Sequence, residues 1–410
     1  MKKRTRAAAL ALSLCLLTGC THFAAEGETL SLPAGSAVSA AVSPYARTDQ
    51  RSDYASLPSD DCRALYDAVA QVAGGIAGQK QEKGYPLKPA SARGSLSDDD
   101  VERTVMAYLN DHPQAFWISN VYSYTLGSGS VRLQLYSRLD PAGRDTRQQA
   151  LNAAVQEILA QVPANLPELD REAAVYEALA GRCTYAQNAQ MGQDQSGWEP
   201  YTAYGALVEG AAVCDGYARA MQLLCGEVGL QNRLVNGQSK GEAHIWNLIR
   251  IDGQWYHFDG TWMDSGARTY DYFNLTDQQI QADHTISAVD GPADDCNLPM
   301  EAAAGGGANY YAARAVQINA LDGSARQAVA QALVDAAGAG RGVVALRIGD
   351  SLDFHETVSG LFQSAPYFFQ SCVQRGNGAL PAGKKLDYTA MQFSTAEEQR
   401  GISVQLAYQK

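Results

Sequence analysis

Two runs in which apolar and polar residues alternate, HIWNLIRI (244–251) and QWYHF (254–258), meet at Asp252-Gly253. A period of two marks strands, and Asp-Gly between them signals a two-residue hairpin turn, whose central residues both need positive φ. That turn sets a register in which Ile251 faces Gln254 and Trp246 faces Asp259. One face then carries Ile245, Ile249, Ile251, Tyr256 and Phe258, suited to packing on a core, and the other carries His244, Trp246, His257 and Asp259. Just upstream, in AAVCDGYARAMQLLC (211–225), the period changes. Tyr217, Met221, Leu224 and Val228 recur at helical spacing, and Gly229 ends the helix.

The same patterns organise the rest of the chain. A helix is predicted over 61–72, and another begins after Ser97, an N-cap followed by three aspartates that suit the positive end of the helix dipole. VYSYTL and VRLQLYS flank Gly127 to Ser130 as a hairpin, and helices follow over 145–161 and 171–182. Thr276 and Gln279 stand at capping-box spacing. AAAGGGA (302–308) suggests a flexible break, after which a helix over 324–337 and strands at GVVALRI and ISVQLAY form a last unit.

Composition adds limits. With 410 residues, 46% hydrophobic and 19% charged, the body is globular and long enough for two or three units. The first twenty residues differ: a basic head of Lys2, Lys3, Arg4 and Arg6 precedes an apolar run too short to span a bilayer. Leu17-Thr18-Gly19-Cys20 resembles the lipobox of bacterial lipoproteins, which implies a lipid on Cys20, cleavage before it and an extracytoplasmic chain anchored to the cell membrane. Residues 21–52 are poor in large apolar side chains and are expected to form a flexible tether. The net charge of −12 becomes more negative once the basic head is removed, and no basic, aromatic-rich patch offers a nucleic-acid surface. Eight cysteines contain no C-x-x-C pair, so no structural metal site is expected.

The expected organisation is therefore a signal peptide (1–20), the tether, an N-terminal α/β unit (53–165), a central unit carrying the chemistry (166–301) and a C-terminal α/β unit (309–410) with no evident role. Cys214 falls in the first turn of its helix, where unpaired N–H groups and the dipole favour a thiolate, with Asp215 opposing. A thiol nucleophile needs a base, and the base an orienting group. His244 and Asp259 are diagonal neighbours in the hairpin register, yet His257 shares their face opposite Leu248, so geometry alone leaves two candidate bases. His244 has the advantage of the strand end away from the turn, after the polar NGQSKGEA. His112, His284 and His355 lack a partner at useful spacing and are expected to be structural, while Trp246, Trp255 and Trp262 suit pocket walls or core.

GAAVCDGYARA, EAHIWNLIRIDGQWYHFDGTW and YDYFNLTDQQIQADHT, within residues 171–299, resemble the core of bacterial transglutaminase-like proteins. The unit before it, with DHPQAFW, resembles the segment preceding that core in cell-surface members. The resemblance implies an α+β, papain-like fold in which a helix bearing the cysteine packs on an antiparallel sheet bearing histidine and aspartate. It implies Cys214 as nucleophile, His244 rather than His257 as base and then acid, and Asp259 as the orienting carboxylate. It also implies acyl transfer or hydrolysis at amide bonds of protein or peptide substrates, with no cofactor and no metal. The oxyanion would be held by the Cys214 N–H and a side chain such as Tyr204 or Trp198. Gly260 and Met263 depart from the family pattern and alter the expected pocket shape. The alternative is a non-catalytic binding or scaffold lipoprotein that keeps the fold.

Overall fold

The computed structural model describes residues 4–7, 45–192, 196–264, 269–288, 297–365 and 367–409. The lipobox, Cys20 and most of the tether lie outside them. The chain is α+β, as expected, and its described residues form three principal sheets.

The first sheet is built from β1 (Arg4–Ala7), which pairs with β4 although it falls in the segment expected to be a signal peptide, and from β2 (Tyr85–Pro86), β3 (Ala90–Arg93), β4 (Ile118–Gly127) and β5 (Ser130–Ser137), with β4 and β5 forming the predicted hairpin. Three helices accompany it: α1 (Ser52–Ser56), α2 (Asp60–Val72) and α3 (Asp98–Asp111). Ser97 caps α3 in a full capping box with Asp100. Leu65, Tyr66 and Val69 of α2 and Val101 and Val105 of α3 bury against Tyr122, Leu133 and Leu135 of the sheet.

The next helix, α4 (Pro141–Leu159), starts earlier than its apolar periodicity suggests, because Asp140 is its N-cap and Pro141 fits the first turn. Although expected in the N-terminal unit, α4 buries Leu151, Ala154, Val155, Ile158 and Leu159 in the central core, beside α5 (Glu168–Ala180). Residues 45–52, assigned to the tether, also dock on the protein. The Gln50 side chain donates to Leu230 O at 2.8 Å and accepts from Asn232 N at 2.7 Å, so one amide satisfies two backbone groups.

The central unit contains β6 (Thr184–Tyr185) beside β7 (Ala211–Ala212), then α6 (Cys214–Glu227). Its sheet, in the order β10-β9-β8-β11, consists of β8 (Asn232–Ser239), β9 (Glu242–Ile251), β10 (Gln254–Phe258) and β11 (His284–Ile286), all antiparallel. Asp252 and Gly253 take φ of 48° and 84°, and the hairpin keeps the expected register from Gln254↔Ile251 to Phe258↔Asn247. Helix α6 packs on the face carrying Ile249, Ile251, Tyr256 and Phe258. The other face is covered too: Trp246 and Leu248 bury against Leu275, Ile280 and Ala303. On that face only the edge at His244 carries candidate chemistry. Two one-turn helices, α7 (Gly260–Met263) and α8 (Asp277–Ile280), follow, the latter with the Thr276–Gln279 capping box. Segment 302–308 is not a free break, since Ala303 is fully buried and exchanges hydrogen bonds with Asp277. Small side chains let this backbone lie flat against β10, where a Cβ on Gly305 would meet the Tyr256 hydroxyl at 3.0 Å.

The C-terminal part comprises α9 (Tyr310–Ala313), β12 (Val316–Ile318), α10 (Gly323–Ala339), β13 (Val343–Ile348), α11 (Phe354–Phe362), α12 (Phe368–Ala379), β14 (Gln392–Ala396) and β15 (Gly401–Gln405). Its sheet runs β12-β13-β15-β14 and packs on α10, α11 and α12. Tyr311, held by Ser403 of β15 at 2.8 Å, ties it to the centre through a hydrogen bond to Asp271 at 2.5 Å.

Candidate active site

Cys214 is the first helical residue of α6, after Val213, an extended N-cap without a side-chain cap. The amide of a first-turn residue has no acceptor within its helix, so it is available to an anion. Gly216 lets this helix end press on the chain before it: a Cβ there would lie 2.4 Å from Pro200 O and 2.7 Å from the Ala212 Cβ. Cys214 is partly exposed and packs beside Ala218, Leu234 and Ile245. The other free thiols of the described residues, Cys62, Cys183, Cys225 and Cys372, are buried. Burial pushes Cys183 up to about 12 and Cys372 to about 11, which keeps them protonated and inert. Asp215, expected to oppose a thiolate, spends its charge on Arg219 at 3.2 Å, and Arg219 in turn donates to Leu109 O of α3.

His244, near the start of β9, places Nε2 2.6 Å from Asp259 Oδ2. Cys214 also acts on this ring, and Nδ1 is the nitrogen that Asp259 leaves free. Burial pulls the imidazole down, but the charge and hydrogen bond of Asp259, followed by Cys214, outweigh it and push the pKa up to about 10. Asp259 is fully buried; burial alone would raise its carboxyl, yet His244 and His284 together hold it well below the usual carboxylate range. Asp259 follows β10 as the N-cap of α7, and its Oδ1 accepts from the Thr261 and Trp262 amides at 2.9 and 3.3 Å. The carboxylate is thus fixed by backbone before it meets a histidine. Trp246 and Trp262 flank the His244 ring, with centroids 6.0 and 6.1 Å away.

The two histidines left open by strand parity have different environments. His257 is 1% exposed; its Nδ1 accepts from Trp246 Nε1 at 3.0 Å, so Nε2 carries the proton donated to Asp277 Oδ1 at 2.9 Å. Both nitrogens are committed, and the ring is a structural bridge. His284, expected to be structural and without a partner, lies instead against Asp259: Nε2 is 3.1 Å from Oδ2 while Nδ1 is 2.6 Å from Asp283 Oδ1. Pairing of β11 with β8 brings it there, His284 opposite Ser239. Nothing in the local sequence announces a contact made by a strand that returns to the far edge of the sheet.

Of the expected oxyanion partners, Trp198 and Tyr204 stack on Phe116 with centroids 6.1 and 4.9 Å away, and Arg147 lies over both rings. The phenol of Tyr201 is raised first by burial and then by its proximity to Asp215 and Cys214. Its hydroxyl donates to Ala189 O at 3.3 Å. His244, Asp259 and His284 also bring ligand atoms within 4.8 Å of one another, close enough to consider a metal ion. Asp259 Oδ2 already faces both imidazoles and Oδ1 two backbone amides, so these atoms form a hydrogen-bonded proton network.

Residues 153–260, which include Cys214, His244 and Asp259, match the family described as the transglutaminase-like superfamily. The kyphoscoliosis peptidases of Mus musculus and Homo sapiens are each 27% identical to this chain over 151 residues, covering 34% of it and 22% of either relative. The chain thus spans about a fifth of the length of those curated relatives. Among solved structures, the crystal structure of a TGase is 14% identical and covers 44% of this chain and 52% of its own, with a TM-score of 0.27.

Proposed function

From the premise that the chain carries a transglutaminase-like superfamily domain in an α+β fold, we propose that it is a thiol enzyme acting on amide bonds of proteins or wall peptides, tethered to the outer face of the cell membrane by a lipid on Cys20. Cys214 is the nucleophile, His244 the base and then acid, and Asp259 the orienting group. One observation carries the reading: a buried carboxylate holds the His244 imidazole at 2.6 Å, and the thiol at a helix N-terminus acts on the same ring.

Asp259 holds Nε2–H of His244 and leaves Nδ1 to take the thiol proton, giving a thiolate and an imidazolium that stabilise each other. The thiolate attacks the carbonyl carbon, and the developing oxyanion is met by the Cys214 amide at the helix end. As the C–N bond breaks, His244 returns its proton to the departing amine and a thioester remains. His244 then deprotonates water, giving hydrolysis, or a lysine amine, giving an isopeptide. The peptidase name of the curated relatives makes hydrolysis the first outcome to seek.

Incubating the full-length protein with a pool of glutamine- and lysine-containing peptides, followed by mass spectrometry, tests this. Chain cleavage identifies a peptidase, ammonia loss with water gain a deamidase, and ammonia loss with coupling a transferase; each is expected to vanish in Cys214→Ala. Turnover that persists in that variant, or none in the parent, contradicts the proposal.

A further inference from the structure

Behind the Asp259 carboxylate lies a second imidazole that the proposed reaction does not use. The side chain of His284 is fully buried, and each of its ring nitrogens faces a carboxylate oxygen: Nε2 faces Asp259 Oδ2 at 3.1 Å and Nδ1 faces Asp283 Oδ1 at 2.6 Å. An ionised carboxylate only accepts hydrogen bonds, so a neutral ring would point one lone pair at an oxygen and lose one of these contacts. Both contacts are satisfied together only when both nitrogens carry protons. The ring is held in that position by an edge contact with Trp246 and by Tyr272, at centroid distances of 5.0 and 5.5 Å. Tyr272 also donates its hydroxyl to Asp283 Oδ2 at 2.5 Å, which favours the ionised form of that carboxylate.

We propose that His284, held as an imidazolium between Asp259 and Asp283, is a positioning residue that locks the Asp259 carboxylate and sets the pH range over which the Cys214–His244 pair is formed. The proposal rests on the assignment of Cys214, His244 and Asp259 as the reacting groups. With His284 in place, Asp259 Oδ2 meets two imidazoles and Oδ1 two backbone amides, so the carboxylate cannot rotate without losing a charge-assisted bond. The titratable groups around His284 are His244, Asp259, Asp283 and Tyr272, with Lys240 acting on Asp283. The His244 ring centroid is 5.5 Å away. A positive charge at that distance makes His244 easier to deprotonate and favours a thiolate on Cys214. Removing it raises the pKa of His244, by on the order of two pH units at an effective dielectric constant of about 20. Burial opposes the charged ring, but hydrogen bonds and charge from the two aspartates raise its pKa overall.

The test is the rate of Cys214 alkylation by iodoacetamide as a function of pH, read on the Cys214 peptide by mass spectrometry, in the parent, His284→Gln and Asp283→Asn. In His284→Gln the limbs of the profile are expected to move up, the His244 limb by on the order of two pH units. Asp283→Asn, which weakens the hold on the imidazolium, moves them less in the same direction. A slower reaction with unmoved limbs overturns the role of His284 and leaves the nucleophile assignment intact; a parent profile of an isolated thiol titrating near about 8.5 overturns both. Should the variants not fold, nitrogen-15 spectra of the parent decide: His284 is expected to carry both ring protons at about pH 7.5, above the ordinary histidine range, and a neutral ring there overturns the proposal.

Discussion

Asp259→Asn isolates the electrostatic part of the proposed site, because asparagine keeps the Oδ1 that accepts from the Thr261 and Trp262 amides and so preserves the cap of α7. Its amide, however, donates toward His244 Nε2 and leaves the ring proton on Nδ1, facing the sulfur. The thiol then has no acceptor. In the native protein His244 rises from 6.5 to about 10 against the pull of burial. At about 1.4 kcal/mol per unit, that is on the order of 5 kcal/mol in favour of the imidazolium. A unit charge pair about 4 Å apart at an effective dielectric constant of about 20 gives about 4 kcal/mol, the same order. Loss of this interaction leaves burial in control, so the imidazole falls below its ordinary range and Cys214 reverts to an isolated thiol. The assay is alkylation of Cys214 between about pH 6 and 8. The native rate is expected to change less than about threefold over that span, because the ion pair is already formed, whereas the variant rises about 70-fold, following a thiol with a pKa of about 8.5. Acyl-transfer activity falls by on the order of 10³ to 10⁴. A flat profile in the variant, like the parent's, would rule out the electrostatic role of Asp259.

Other perturbations separate structure from chemistry. His257→Leu strands the Trp246 indole N–H and the Asp277 carboxylate, so unfolding in denaturant is expected to show a loss of about 2–4 kcal/mol while the pH profile of Cys214 alkylation stays in place. Gly216→Ala drives a Cβ toward Pro200 O at 2.4 Å and displaces the α6 N-terminus, so turnover drops at least tenfold even in protein that remains folded by circular dichroism. Glu172 is fully buried and its carboxyl is raised well above the ordinary value, chiefly by burial, with Asn274 its hydrogen-bond partner at 2.6 Å. A raised folded-state pKa contributes stability below the unfolded pKa that is lost as pH rises through the folded value, so Glu172→Gln flattens this decline in melting temperature toward alkaline pH.

The elements legible in the sequence are those whose determinants are local. Asp252-Gly253 fixed the hairpin turn and, through it, the register that brings His244 and Asp259 to one edge. Ser97 and Thr276 marked helix starts because a capping box closes within four residues. What remained hidden depends on returns of the chain. The face carrying Trp246 and Leu248 is covered by Leu275, Ile280 and Ala303, residues that follow the hairpin and fold back over it. His284 meets Asp259 because β11 pairs beyond β8, a placement that parity within one hairpin cannot show. Helices α11 and α12 escaped notice for another reason: α11 is nine residues long, and α12 begins after Tyr367, which takes a left-handed φ of 54° that sequence propensity would not assign to tyrosine.

The proposed reaction requires Cys214 to be a thiolate paired with the His244 imidazolium at neutral pH. Ultraviolet thiolate absorbance, taken as the difference between the parent and Cys214→Ser and followed with pH, tests it most directly. Absorbance already present at about pH 6, and displaced in His244→Ala to a titration near about 8.5, is the predicted result. Absorbance that appears only near about 8.5 in both proteins would contradict it.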